Sequence, residues 1–223
     1  MRLLLLSSSN VHPHRYLDHA ENEIRALEAK RIAFVPFALF DRDAYTAKAR
    51  ERLAKMDVDL VQFRAVADLD RADAMFVGGG NTFRLLKTLY ELDLLDAIRE
   101  RVRAGLPYIG SSAGTVITSP TIRTTNDMPI VEPPSLTSLG LLPFQLNCHY
   151  LEPDPSSTHK GETREERLLQ YLEENTIPVV AIREASMLRV ENDRLTLLGE
   201  KTARIFMRGR EPFEYPPGTL EGV

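Results

Sequence analysis

Short apolar runs alternate with amphipathic stretches along this chain. Residues 2–7 carry four leucines bounded by Arg2 and a run of serines, which predicts a buried first strand. Residues 14–30 place Tyr16, Ala20, Ile24 and Leu27 at helical spacing, and residues 31–37 (RIAFVPF) read as a second strand. The alternation continues with a charged helix over 43–55, a strand over 58–63, a short helical piece over 65–71 and a strand over 73–77 (DAMFV) that runs into three glycines. Helical patterns over 82–90 and 94–104 precede a strand over 106–110 (LPYIG). Strands separated by helices imply right-handed βαβ units. The predicted fold is therefore α/β, a mostly parallel sheet flanked by helices.

After Gly114 the rhythm changes. Residues 119–158 hold seven prolines and little helical periodicity. A stretch of about 40 residues is too long for a plain connection, so it reads as functional surface. A charged helix over 160–174 follows, then strands over 179–182, 187–190, 195–198 and 203–206, with residues 191–194 (ENDR) as a hairpin turn. No repeat, linker or low-complexity segment divides residues 1–223, which read as a single domain.

The sharpest local chemistry is Gly110-Ser111-Ser112-Ala113-Gly114, a G-x-S-x-G directly after a predicted strand. That context is the one a nucleophile elbow requires, and it makes Ser112 the candidate nucleophile. A serine hydroxyl is protonated at neutral pH and needs a base. Of five histidines, His12, His14 and His19 lie early in the chain. His149 ends the apolar run at 143–149, where a strand would deliver it to the sheet's C-terminal edge, and ranks first. His159, at the head of the later helix, ranks second. Gly78-Gly79-Gly80-Asn81-Thr82 follows another strand and opens a helix, presenting bare N–H groups to an oxyanion or a phosphate. It matches neither the P-loop nor the dinucleotide fingerprint, and tight turning alone explains it as well.

Composition removes several classes. The charge sum of 28 Lys+Arg against 32 Asp+Glu gives −4, without the basic excess of a nucleic-acid binder, and no Trp is present to build a stacking platform. One cysteine excludes an intramolecular disulfide and a cysteine zinc cage. It is Cys148, which by strand alternation points away from the site if His149 points in. Four leucines are too few for a signal core or a membrane span, so a cytoplasmic protein without a membrane partner is expected.

Five blocks occur in order: GGGNT at 78–82, GSSAG at 110–114, TIRTTNDMPIV at 121–131, NCHY at 147–150 and HKGETRE at 159–165. Together they closely resemble the S51 serine peptidase family over nearly the whole chain. The resemblance implies a fold like the class I glutamine amidotransferases with a nucleophile elbow. It implies hydrolysis of Asp-X dipeptides, small peptide substrates with N-terminal aspartate, without metal or other cofactor. Position by position, Ser112 matches the nucleophile, His149 the general base and Glu184 the third triad member, with Asp127 as the competing acid. The Arg183-Glu184-Ala185 match is looser than the family's Pro-Glu-Gly-like turn. Ser111 replaces a bulky aromatic, and Asn-Cys-His-Tyr replaces Asn-Pro-His-Phe.

On this reading the oxyanion hole is the N–H of Gly80 and of Ala113. Arg123 is the first candidate for the substrate's side-chain carboxylate and Arg164 the second, while Asn126 and Asp127 are candidates for its α-amine. The chain would act as a monomer or homodimer. The competing readings are a cyanophycinase-like hydrolase of aspartyl–arginine bonds, a cysteine glutamine amidotransferase, which needs Cys where Ser112 stands, and a non-enzymatic α/β phosphate-binding module.

Overall fold

The four leucines of the first strand are buried on both sides. In a computed structural model that describes residues 1–152, 156, 158, 161–192, 194–220 and 222, β1 (Arg2–Leu6) sits inside an eight-stranded sheet. Leu3 and Leu5 face one apolar cluster, Leu4 and Leu6 the other. A strand covered on both faces has no polar side to show, which is why the run is continuous rather than alternating.

The parallel half of this sheet is built from β1, β2 (Arg31–Val35), β3 (Asp59–Gln62), β4 (Ala74–Val77) and β5 (Tyr108–Ser111), in spatial order β1-β5-β4-β2-β3. Two helical layers cover it. On one face lie α1 (Glu21–Arg25) and α2 (Arg42–Ala54), and on the other α3 (Thr82–Glu91), α4 (Leu95–Arg103) and α5 (Ala113–Val116). Each fully buried Leu or Phe contributes roughly 1.5–3 kcal/mol, so this double layer is the main source of stability. Caps follow the sequence: Asp41 accepts from the Ala44 N–H at 2.9 Å and Asn81 from the Arg84 N–H at 3.0 Å.

The chain then passes through β6 (Gln145–Asn147), α6 (Arg164–Glu174), β7 (Val179–Ile182), β8 (Met187–Glu191), β9 (Arg194–Leu198), β10 (Ala203–Phe206), β11 (Phe213–Tyr215) and β12 (Gly218–Leu220). Strands β8, β9 and β12 extend the main sheet antiparallel beyond β1. The β8–β9 hairpin closes at Glu191↔Arg194, where the turn residues predict it. A second sheet of order β11-β10-β7-β6 stands apart, and the sequence pattern did not separate it from the first. Its Val180, Ile182 and Ile205 join the main core, while Val179, Ala181 and Phe206 pack with Tyr150, Leu168 and Leu172 beneath α6.

Two predicted helices are corrected. The helix over 14–30 shrinks to a single 3₁₀ turn at Asp18–Ala20 and the five residues of α1. Leu17 stands at φ 61° with its N–H bonded to the Ser9 carbonyl, and Glu28 at φ 57° ends the segment. The periodicity nevertheless marked the right side chains, since Tyr16, Ala20 and Ile24 are all buried. The later helix starts at Arg164 rather than 160, because Thr163 caps it and exchanges bonds with Glu166. Residues His159 and Lys160 lie outside the described residues. Among the described residues no helix is long and apolar enough to cross a membrane.

Candidate active site

Strand β5 ends at Ser111, and Ser112 turns the chain into α5 with φ 51° and ψ −109°. A non-glycine residue at positive φ is strained, and here the surroundings hold it. The Ser112 N–H donates to the Leu6 carbonyl at 3.0 Å, and α5 packs so closely on β4 that a Cβ at Gly114 would stand 2.1 Å from the Val77 carbonyl oxygen. The glycine turn after β4 is equally tight. Gly80 takes φ 137°, and a Cβ there would meet the Ala38 carbonyl at 2.6 Å. Ala113 is the first residue of α5, so its N–H has no acceptor within the helix.

The second sheet delivers the histidine. β6 and β7 are parallel and in register at Asn147↔Ala181, so the residues just past both strands leave on the same side. His149 is two residues beyond β6 and Glu184 two beyond β7. Ser7, at the end of β1, ties them together: its hydroxyl donates to the Ile182 carbonyl at 2.9 Å and accepts from the His149 N–H at 2.9 Å. His149 itself stands at φ 56°. Its ring links both neighbours, with Nε2 2.8 Å from Ser112 Oγ and Nδ1 3.0 Å from Glu184 Oε1. Such a line can deprotonate a hydroxyl: the Nδ1–H donates to the carboxylate, leaving the Nε2 lone pair to face the serine.

Arg183 anchors the glutamate's turn. It pairs with Glu152 and with Glu214, donates to the Thr202 carbonyl and lies over the Tyr150 ring at 5.4 Å. Arg204 extends the network to Glu165 and Glu214. Arg183 beside Glu152 holds that carboxyl below the usual carboxylate range.

The other sequence candidates fall on both sides of the cleft. Asp127 lines the same cavity as Ser112 and His149, a space of about 690 Å³. Its Oδ2 accepts from the Thr82 N–H at 2.7 Å, the Thr82 hydroxyl at 2.5 Å and the Thr125 hydroxyl at 3.3 Å, at the start of α3. Asn126 donates to the Cys148 carbonyl at 2.7 Å and accepts from Asn147 at 3.1 Å, bracing the strand that carries His149. Arg123 is exposed and lines a neighbouring depression of about 480 Å³ with Phe83 and Tyr171, which shares Asp127 with the Ser112 cavity. Arg164 begins α6, with a buried Nη1 that has no hydrogen-bond partner among the described residues. Burial pulls its guanidinium below the ordinary arginine range, while the charge of Glu184 acts in the opposite direction. Cys148 is buried behind the elbow, outside the cavity lining, with Sγ 3.7 Å from the Ser112 carbonyl, and burial raises its thiol pKa well above normal.

Sequence reasoning missed one wall of the cavity. Ser8, Ser9 and Asn10 line it from the turn after β1, and Tyr45 and Lys48 from α2. The rule that ligands gather beyond the C-terminal ends of parallel strands would have marked the SSSN turn, since β1 neighbours the elbow strand. Among the described residues no group of three or more His, Cys, Asp or Glu could hold a metal ion.

A family model described as Peptidase family S51 matches residues 3–198. Peptidase E of Streptomyces coelicolor is 55% identical, over 98% of this chain and 93% of its own length. A Drosophila melanogaster protein named "Probable alpha-aspartyl dipeptidase" is 47% identical, over 92% of this chain and 89% of its own. The fold is shared with the crystal structure of a peptidase from an acI-B1 actinobacterium, with TM-score 0.72, 17% identity and coverage of 98% of this chain and 96% of that one. It is shared also with a putative peptidase E from Listeria monocytogenes, with TM-score 0.68, 22% identity and coverage of 88% and 97%.

Proposed function

The chain belongs to peptidase family S51, and from that premise we propose that it is a serine dipeptidase hydrolysing Asp-X dipeptides through Ser112, His149 and Glu184. The observation that carries the reading is the unbroken hydrogen-bonded line from Ser112 Oγ through the His149 ring to Glu184. Ser112 attacks the peptide carbonyl as His149 takes its proton, and His149 returns that proton to the leaving amine. A water then repeats the cycle on the acyl-enzyme. Glu184 fixes the tautomer and stabilises the imidazolium. It is favoured over Asp127 because the bonds recorded to the Asp127 carboxylate come from Thr82 and Thr125. The N–H groups of Gly80 and Ala113 receive the oxyanion, each worth about 10²–10³ in rate.

The aspartyl side chain needs a cation. We favour Arg164, whose buried Nη1 has no hydrogen-bond partner among the described residues and which feels the charge of Glu184, with Arg123 as the alternative, in a depression that shares Asp127 with the Ser112 cavity. Asp127 remains the acceptor proposed for the α-amine, being an anion on the cavity wall.

Purified protein assayed on Asp-Leu, Leu-Leu and a β-Asp-Arg isopeptide tests this. Asp-Leu is cleaved fastest, and Ser112→Ala loses about 10⁴-fold or more in kcat while keeping its melting temperature. Ser112→Ala also loses labelling by a fluorophosphonate. Preference for the isopeptide would make the chain a cyanophycinase-like hydrolase, and full activity in Ser112→Ala would remove the serine from the chemistry.

A further inference from the structure

One cation in the cavity, Lys48, has no ion-pair partner among the described residues. Helix α2 turns a single face to the cleft: Asp41, Ala44, Tyr45 and Lys48 all line it, at the i, i+3, i+4 and i+7 spacing of neighbours on one helix face. Asp41 at the head of that face is engaged in capping α2. Tyr45 reaches the glycine turn, where its hydroxyl would stand 2.6 Å from a Cβ on Gly78. Gly79, the next residue, lies against the serine, since a Cβ there would stand 3.1 Å from Ser112 Cβ. Lys48, one turn further along, holds its ammonium 4.6 Å from the centre of the Tyr16 ring. The aromatic face fixes the position of the ammonium without neutralising it.

The acids around Lys48 are committed elsewhere. Glu51 pairs with Lys55, and Asp18 and Glu21 pair with Arg52. Lys48 has no ion pair and no hydrogen bond among the described residues. Apart from His149 it is the basic side chain of the cavity lining. The protein thus presents an unpaired positive charge in the same space as Ser112, on a rigid helix face.

We propose that Lys48 binds the C-terminal carboxylate of the leaving residue and so selects dipeptides by the position of their free end. This rests on the Asp-X reading above. An Asp-X dipeptide carries two carboxylates, separated by the scissile bond, and one cation cannot serve both. Arg164 on α6, in the field of Glu184, is assigned to the aspartyl side chain. Lys48 on α2 supplies the second charge. In a longer peptide the second residue ends in an amide rather than a carboxylate, so Lys48 would face a neutral group and lose its partner.

The test compares wild type, Lys48→Met and Lys48→Arg on Asp-Leu, Asp-Leu-amide and Asp-p-nitroanilide. In wild type Asp-Leu has a KM about tenfold below that of its amide, the scale of one charge-assisted contact. Lys48→Met raises KM for Asp-Leu about tenfold, erases the preference over the amide and leaves the anilide within twofold, and Lys48→Arg restores most of the difference. Equal losses on all three substrates would assign Lys48 to the aspartyl half or to the scaffold and overturn the proposal, as would an unchanged preference for the free carboxylate. If wild type cleaves none of the three, the Asp-X reading itself fails, which is a distinct result.

Discussion

The two halves of the site are held by different physics. The serine half sits on the parallel strands β5 and β4, between two extensive apolar layers, and its turns are locked by backbone-to-backbone contact at Gly80 and Gly114. The histidine–glutamate half sits at the ends of β6 and β7, whose Leu146, Val180 and Ile182 join the main core while Val179 and Ala181 pack in a small cluster of six buried residues. Its outer wall is a network of arginines and glutamates centred on Arg183. Close packing tolerates no added volume, whereas a part-exposed ion network is adjustable and salt-sensitive. The serine is thus presented by an element that cannot yield, and its partners are aimed by one that can be tuned.

That contrast predicts graded damage. The largest effect belongs to Gly114→Ala, whose methyl must enter the space of the Val77 carbonyl. It should cost about 3 kcal/mol, a melting-temperature drop of about 6–12 °C, since neither β4 nor α5 can move aside alone. A drop of less than two degrees would mean that the elbow is looser than its contacts indicate.

Arg183→Met comes next. It removes the pairs to Glu152 and Glu214 but keeps a stem to cover Tyr150. Stability should fall by about 1–2 kcal/mol, because the partners are part-exposed. If the network aims Glu184, kcat should fall about tenfold or more with little change in KM. Stability lost without any loss of kcat would separate the network from the site.

The smallest effect is Glu152→Gln. The Glu152 carboxyl is held below its usual range by Arg183, so its stabilisation is complete above the ordinary glutamate value of about 4.3 and is lost as pH falls through the lower folded value. The wild type should melt about 1–3 °C above the variant at neutral pH, with the gap closing in acid. A gap that is independent of pH would point to packing rather than charge.

The serine half was legible because its signals are local. A strand that ends in G-x-S-x-G, and another that ends in three glycines, announce tight turns from consecutive residues, and Ser112 and Gly80 lie where those patterns put them. The histidine half was legible only in part. Residues 143–149 read as a strand delivering His149, and the resemblance supplied Glu184, but periodicity could not divide two sheets made of equally short apolar runs. Asp127 and Asn126 were marked as polar residues in a well-matched segment, and nothing in their own neighbourhood told that one accepts from Thr82 at the start of α3 and the other braces Cys148. The helix predicted over 14–30 failed for a related reason. Burial period survives where a backbone turns at Leu17 and Glu28, because the core demands apolar contacts and not a particular helix length.

By itself, then, the sequence determined the alternating α/β pattern, the elbow serine, the tight glycine turn and membership of the family through ordered motifs, all properties of short contiguous stretches. Only the tertiary structure decided that the His149 ring meets Glu184 while Thr82 and Thr125 meet Asp127, and that Lys48, without an ion pair among the described residues, lines the cavity of Ser112. The pairings of His149 with Glu184 and of Thr82 with Asp127 join residues 35 and more positions apart, through the parallel register of β6 with β7 and the packing of α2 against the glycine turn. Spacing along the chain carries no information about such distances until the sheets have closed.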